Sequence, residues 1–260
     1  MVSRMAYERI VLSIPGMEQV ACRKDLTYRT AGAEASKADL YLPAPSDRLP
    51  PVVIFIHGAF PPGVLAKDHG HFVSWSQLIA ASGIAAVMFN HRLRWAGSYV
   101  PESLPEAAQD LSDVVAFLRT NASHFKIDAD RICPFAFSAG GPLLAAPLRE
   151  RWSAVRCIVA FYAVLGDPLP DSGDVGRFSA LAGLTDGKPP LPTFIAKAGK
   201  DSPLINTAID QYAKAARDLG SEIRLDEHPE GVHGFDAFND EDTSRAIIRN
   251  AIEFMKSHLL

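Results

Sequence analysis

Apolar residues occur in short unbroken runs separated by longer amphipathic stretches. Val52-Val53-Ile54-Phe55-Ile56 is apolar at every position and rich in β-branched residues, the pattern of a strand covered on both faces. The same character returns at Ile84 to Phe89, Ile132 to Phe137, Val155 to Tyr162 and Pro192 to Ala198. Between these runs, Leu104, Ala108, Leu111, Val115 and Leu118 fall at the three-and-four spacing of one helix face. Phe72 to Ala81, Leu204 to Leu219 and Ser244 to Leu259 carry similar patterns, and Glu222 to Glu227 alternates as a last strand.

Strand–helix alternation of this kind predicts an α/β protein with a mostly parallel sheet and helices on both faces. The first fifty residues differ. Glu18 to Thr30 and Lys37 to Leu42 alternate with no helix between them, so they are expected as antiparallel strands at one sheet edge. Pro43, Pro45, Pro50 and Pro51 then mark a turn before the first parallel strand. With no internal repeat or low-complexity tract, residues 1–260 read as one domain. Its two long loops, 59–71 and 166–190, are expected to cover a site.

Composition narrows the function classes. The chain has 26 basic and 30 acidic residues and a formal charge of −4. It therefore lacks the basic footprint of a sequence-tolerant nucleic-acid binder, and no polybasic run suggests an anionic membrane surface. The longest apolar run, Cys157 to Leu165, is far short of the ~20 residues of a spanning helix. No secretory core is legible in Met1 to Gln19. Cys22, Cys133 and Cys157 form neither a disulfide framework nor a metal knuckle. A cytoplasmic location is the expectation.

Chemistry enters at Phe135-Ala136-Phe137-Ser138-Ala139-Gly140, where a buried strand runs into a serine flanked by small residues. A serine in a strained strand-to-helix turn has its hydroxyl lifted above the sheet, and small neighbours let the following helix approach the strand. Pro134 removes a ladder donor from this strand. Pro147 predicts a short or kinked helix after the turn.

A serine hydroxyl needs a base, and the base an orienting carboxylate. Downstream of Ser138 the histidines are His228, His233 and His258. His258 lies at the far end of the last helix and His228 continues a strand. His233 stands in the glycine-flanked loop Gly231-Val-His233-Gly-Phe-Asp236 and is the candidate base. For the acid, Asp201 follows the strand Thr193 to Ala198 and precedes Ser202-Pro203, a good helix start with Ser202 as cap. Asp167 is the rival acid and Asp226 a weaker third.

These residues resemble the α/β-hydrolase superfamily, and more narrowly its esterase and dienelactone-hydrolase-like branches, over roughly residue 20 to the end. In the family the elbow is usually G-x-S-x-G. Here Ala136 takes the first glycine position. His233-Gly234-Phe235 resembles the H-G-F segment of the dienelactone-hydrolase-like enzymes, and Ile56-His57-Gly58-Ala59-Phe60 resembles the loop that completes the oxyanion hole. The resemblance implies an α/β-hydrolase fold with an eight-stranded sheet and a catalytic triad of Ser138, Asp201 and His233. It also implies oxyanion donors at the backbone N–H of Ala139 and of Ala59, with Phe60 as the alternative to Ala59, and a structural rather than basic role for His57.

The implied activity is cleavage of a small carboxylic ester, with no cofactor or metal, no nucleic-acid or membrane partner, and a homodimer as a candidate assembly. Amide or peptide cleavage and a non-catalytic binding role are the alternatives. The polar character of 166–190, with Asp167, Asp171, Asp174 and Asp186, argues against a lipid-facing lid and for short acyl chains. Asp68-His69-Gly70-His71 offers metal-type side chains without a third ligand at useful spacing. Arg92 reads as structural, whereas Phe60, Trp75, Trp95 and Tyr99 are candidates for either pocket or core.

Overall fold

The computed structural model describes residues 8–31, 34–60, 65–96, 99–100, 102–150, 152–168, 177–184 and 190–260. Its strands are β1 (Ala21–Ala31), β2 (Glu34–Leu42), β3 (Val52–Ile56), β4 (Ala85–Phe89), β5 (Ile132–Phe137), β6 (Ile158–Phe161), β7 (Thr193–Ala198) and β8 (Ile223–His228). The helices are α1 (Gly70–Ala81), α2 (Ser103–Thr120), α3 (Ala122–Phe125), α4 (Ala145–Glu150), α5 (Pro203–Asp218), α6 (Phe235–Phe238) and α7 (Asp242–Leu259). Every expected strand and helix is present, with ends displaced by a few residues. The first two strands and the run from Val155 each begin three residues away from the expected position, and of the latter Ile158–Phe161 joins the sheet as a strand.

The sheet has eight strands in the order β1-β2-β4-β3-β5-β6-β7-β8. Pairs β1–β2 and β2–β4 are antiparallel and the remainder parallel. Side chains alternate across it as the pleat requires. Ile54, Ile56, Val87 and Ala136 face one side, where Leu104, Leu111 and Val114 of α2 and Ile209 and Ala213 of α5 cover them. Val53, Phe55, Phe135 and Phe137 face the other, under Phe72, Trp75 and Ile79 of α1 and Ile248, Ala251 and Met255 of α7. Strands β3, β4, β5 and β6 are buried at every position, which is why their sequences show no polar alternation.

Pro134 is accommodated by register. The pairing of β5 with β6 begins at Phe135↔Val159, one residue beyond the ring. Arg92 joins the buried Asp110 carboxylate through its Nε at 2.9 Å and its Nη2 at 2.9 Å. Arg29 approaches the same carboxylate at 3.1 Å, so Arg92 ties loop to helix as the sequence suggested.

This topology fixes where a site can form. From β3 the chain steps outward to β4 on one side, and β5 lies on the other. The crevice beyond the carboxyl ends of β3 and β5 is therefore the switch point at which open α/β sheets bind ligands.

Candidate active site

Ser138 stands directly after β5 with φ 51°, a left-handed conformation that costs a non-glycine residue of order 1–3 kcal/mol and persists only when its surroundings enforce it. Two contacts do so. A Cβ placed on Gly140 would lie 2.6 Å from the His57 carbonyl oxygen and 2.7 Å from that of Ile56, so only glycine lets the turn close on the end of β3. The Val164 N–H donates to the Ser138 carbonyl at 3.0 Å. Past the turn the backbone runs as a 3-10 helix, Ser138–Leu144, before the six residues of α4. Pro142 and Pro147 remove the donors a longer α-helix would need, which accounts for the short element.

His233 precedes Gly234, whose φ of 84° starts α6. Its loop is held to the loop after β7 by Gly199 N–H donating to the His228 carbonyl at 2.8 Å and Lys200 N–H to that of Gly231 at 2.9 Å. These bonds bring Asp201 beside His233. Asp201 Oδ2 lies 2.7 Å from His233 Nδ1, and Ser138 Oγ 2.8 Å from His233 Nε2. With the carboxylate as acceptor, Nδ1 carries the proton and Nε2 is left to accept from the hydroxyl. Asp201 Oδ1 accepts the Ser202 N–H at 2.7 Å, so the carboxylate is gripped on both oxygens. Its side chain is 5% exposed and that of His233 21%.

The structure thus brings together Ser138, Asp201 and His233. Asp167 is exposed in the turn after β6, and Asp226 accepts instead from Asn250 at 2.7 Å. Ser202 is the cap residue of α5 by position, without a side-chain capping bond.

The loop after β3 lies against the serine. A Cβ on Gly58 would sit 2.9 Å from Ser138 Cβ and 3.3 Å from Oγ. His57 Nδ1 is 2.7 Å from the Gly58 carbonyl oxygen, and His57 Nε2 accepts the His91 N–H at 3.4 Å. These partners assign the proton to Nδ1 of a neutral ring. Burial pushes His57 down to about 4. His91 stacks on it with ring centres 3.5 Å apart and is likewise lowered by burial. In a trans peptide the C=O and the following N–H point to opposite sides. A pinned Gly58 carbonyl therefore sets the direction of the Ala59 N–H, and the pinned Ser138 carbonyl sets that of the Ala139 N–H. Tyr99 adds a bond from its hydroxyl to the Ala139 carbonyl at 3.0 Å. Phe60 packs edge-on against His57 and His69.

Of the other candidates, Trp75 is fully buried in the core, whereas Trp95 is 40% exposed and packs edge-on against Tyr99. Residues 61–64 of the first long loop and 169–176 and 185–189 of the second lie outside the described residues, and the expected covering role falls partly on them. His71 Nε2 is 2.7 Å from Asp236 Oδ2, and no group of three or more metal-type side chains occurs among the described residues.

A buried group beside His233 carried no signal that the sequence pattern singled out. Asp236 is fully enclosed and meets His71, Trp75 and Tyr162, while the Tyr162 ring lies 4.7 Å from that of His233. The only signal available was the carboxylate in His233-Gly-Phe-Asp236 itself.

A family model described as BD-FAE matches residues 38–148, the stretch from β2 through the serine turn to α4. No curated protein matches the chain. Among solved structures it is similar to a bacterial heroin esterase, at 20% identity and TM-score 0.78 over 100% of this chain and 89% of that one. It is also similar to brefeldin A esterase, described as a bacterial homologue of human hormone-sensitive lipase, at 18% identity and TM-score 0.74 over 98% and 81%. A third is a thermophilic esterase of the Planctomycetes species Thermogutta terrifontis with butyrate bound, at 18% identity and TM-score 0.73 over 94% and 95%. At these identities the likeness is one of fold, and it does not single out a dienelactone-hydrolase branch.

Proposed function

We propose that this chain, which has the α/β-hydrolase fold, is a serine hydrolase that cleaves a small carboxylic ester through an acyl-enzyme on Ser138. The observation carrying this reading is the unbroken relay from Ser138 Oγ through His233 to Asp201, at 2.8 and 2.7 Å. It lies at the switch point of the sheet, with the β3 loop packed against the serine.

In the first step Ser138 Oγ bonds to the ester carbonyl carbon while its proton passes to His233 Nε2. Negative charge moves to the carbonyl oxygen, where the N–H groups of Ala59 and Ala139 are the proposed donors. Removing one such donor typically costs about 3 kcal/mol of barrier lowering, so fixed peptide orientation matters. Asp201 holds the imidazole in the reactive tautomer and stabilises the imidazolium. Collapse of the intermediate breaks the bond to the alcohol oxygen, which takes the proton from His233 and leaves. Water then gives its proton to His233 and attacks the acyl carbon, and Ser138 recovers its proton as the acid departs. The sequence needs no metal or cofactor.

The solved relatives support the ester as substrate and a small acyl group. One holds butyrate, and the same esterase has been captured phosphorylated by paraoxon. Stopped-flow hydrolysis of p-nitrophenyl butyrate tests the reading. A burst approaching one p-nitrophenol per chain, then steady turnover, is expected. Turnover with no burst, unaffected by prior fluorophosphonate treatment, would overturn it, and absence of turnover would favour a binding protein.

A further inference from the structure

We propose that Asp236 is a positioning residue for His233, acting through the ring of Tyr162. This rests on the reading of His233 as the base. His233 is held on one edge by Asp201, and the backbone of its loop, flanked by Gly231 and Gly234, is tied down through the Gly231 carbonyl and the Val232 N–H. The described structure puts the Tyr162 ring beside it, with centres 4.7 Å apart and planes at 56°.

Tyr162 is itself locked. Its φ is 39°, a strained conformation outside the strand that ends at Phe161. Its hydroxyl donates to Asp236 Oδ1 at 2.7 Å. Asp236 Oδ2 accepts from Trp75 Nε1 at 2.7 Å and from His71 Nε2 at 2.7 Å. The carboxylate is 0% exposed. Burial works against its charge, but the three donors His71, Trp75 and Tyr162 outweigh that and hold its carboxyl below the usual range. Charge-assisted bonds of this length are about twice as strong as neutral ones, and a buried carboxylate with satisfied oxygens is rigid.

The array joins three parts of the chain. His71 and Trp75 come from α1, Tyr162 from the end of β6, and Asp236 from the start of α6, three residues past His233. Two residues beyond Tyr162, the Val164 N–H holds the Ser138 carbonyl. A shift of Tyr162 would therefore disturb the base and the nucleophile turn together. A purely structural staple would affect stability alone.

The experiment compares wild type with Tyr162→Phe, Tyr162→Leu and Asp236→Asn, with Ser138→Ala as control. Sites are titrated with a fluorophosphonate, and kcat and KM for p-nitrophenyl butyrate are expressed per titrated site. In parallel, NMR follows water exchange of the imidazole proton between His233 Nδ1 and Asp201. Tyr162→Phe and Asp236→Asn should lower kcat about tenfold and Tyr162→Leu about a hundredfold, with KM within twofold and proton exchange at least tenfold faster. Unchanged kcat per site and unchanged exchange, with only Tm lowered, would overturn the proposal. If Asp236→Asn does not fold, Tyr162→Phe decides, since it deletes one oxygen and keeps the ring. Failure of the hydrolase reading shows separately, as a wild type without turnover or a Ser138→Ala protein that still labels. Proton exchange decides the positioning claim in that event.

Discussion

Ser138 has its hydroxyl on His233 and its carbonyl on Val164, so small changes around it should act on chemistry and folding differently. Asp201→Asn keeps the shape but presents an amide to His233 Nδ1, favouring the wrong tautomer. Its kcat should fall roughly 10³- to 10⁴-fold, whereas Asp167→Asn should stay within a few-fold of wild type. The reverse ranking in parallel kinetics would transfer the role to Asp167. Gly140→Ala puts a methyl group 2.6 and 2.7 Å from two backbone oxygens. It should destabilise the fold by about 1–3 kcal/mol and slow fluorophosphonate labelling, readable by denaturant titration and labelling rate. Ser138, Asp201 and His233 were legible because each stands at punctuation the backbone requires: small residues after a strand, a Ser-Pro helix start, a glycine-flanked loop. Asp236 and Tyr162 were not, because partners 74 residues apart in a buried network leave no spacing signature.

At the scale of elements, the loops that follow β3 and β4 carry the stacked pair His57 and His91, each buried and neutral. Their sign under acid is definite. In the unfolded chain they protonate near 6.5, but in the folded one His57 waits until about 4 and His91 is also lowered. Between those limits the unfolded state binds more protons, so this contribution to stability is lost as pH falls. The free energy of unfolding should decline from pH 7 towards 4, and His91→Asn should flatten that slope. An unchanged slope, measured by urea titration at several pH values, would contradict the assigned protonation. Strand identities were readable from their unbroken apolar runs. Element ends were not, since hydrogen bonds to neighbours rather than composition decide them, as with the late start of β6 and the 3-10 turn that Pro142 enforces.

For the whole molecule, strand order decides where everything converges. The sequence showed alternation of strands and helices but not which strands neighbour which. The approach of the Gly58 loop to Ser138 was expected only through the resemblance of Ile56 to Phe60 to an oxyanion-hole loop, and the adjacency of β3 and β5 that produces it is seen in the fold. Among the described residues, Trp95, Leu204 and Val232 are exposed large apolar side chains in or beside the loops that carry Tyr99, Asp201 and His233. Among the described residues, no helix is long and apolar enough to cross a membrane. With each buried methylene worth about 0.8 kcal/mol, kcat/KM should peak at roughly two to four acyl carbons and fall beyond about eight. A panel of p-nitrophenyl esters reads this directly, and a steady rise to palmitoyl would contradict it.

Whether Ser138 carries the acyl group is tested most directly by mass spectrometry of the trapped protein. Acid quenching during p-nitrophenyl butyrate turnover, followed by proteolysis, should find one butyryl adduct per chain on the peptide containing Ser138. The adduct should vanish in Ser138→Ala together with turnover, which should drop roughly 10⁴-fold or more. An adduct on another residue, or turnover in Ser138→Ala near the wild-type rate, would contradict the account.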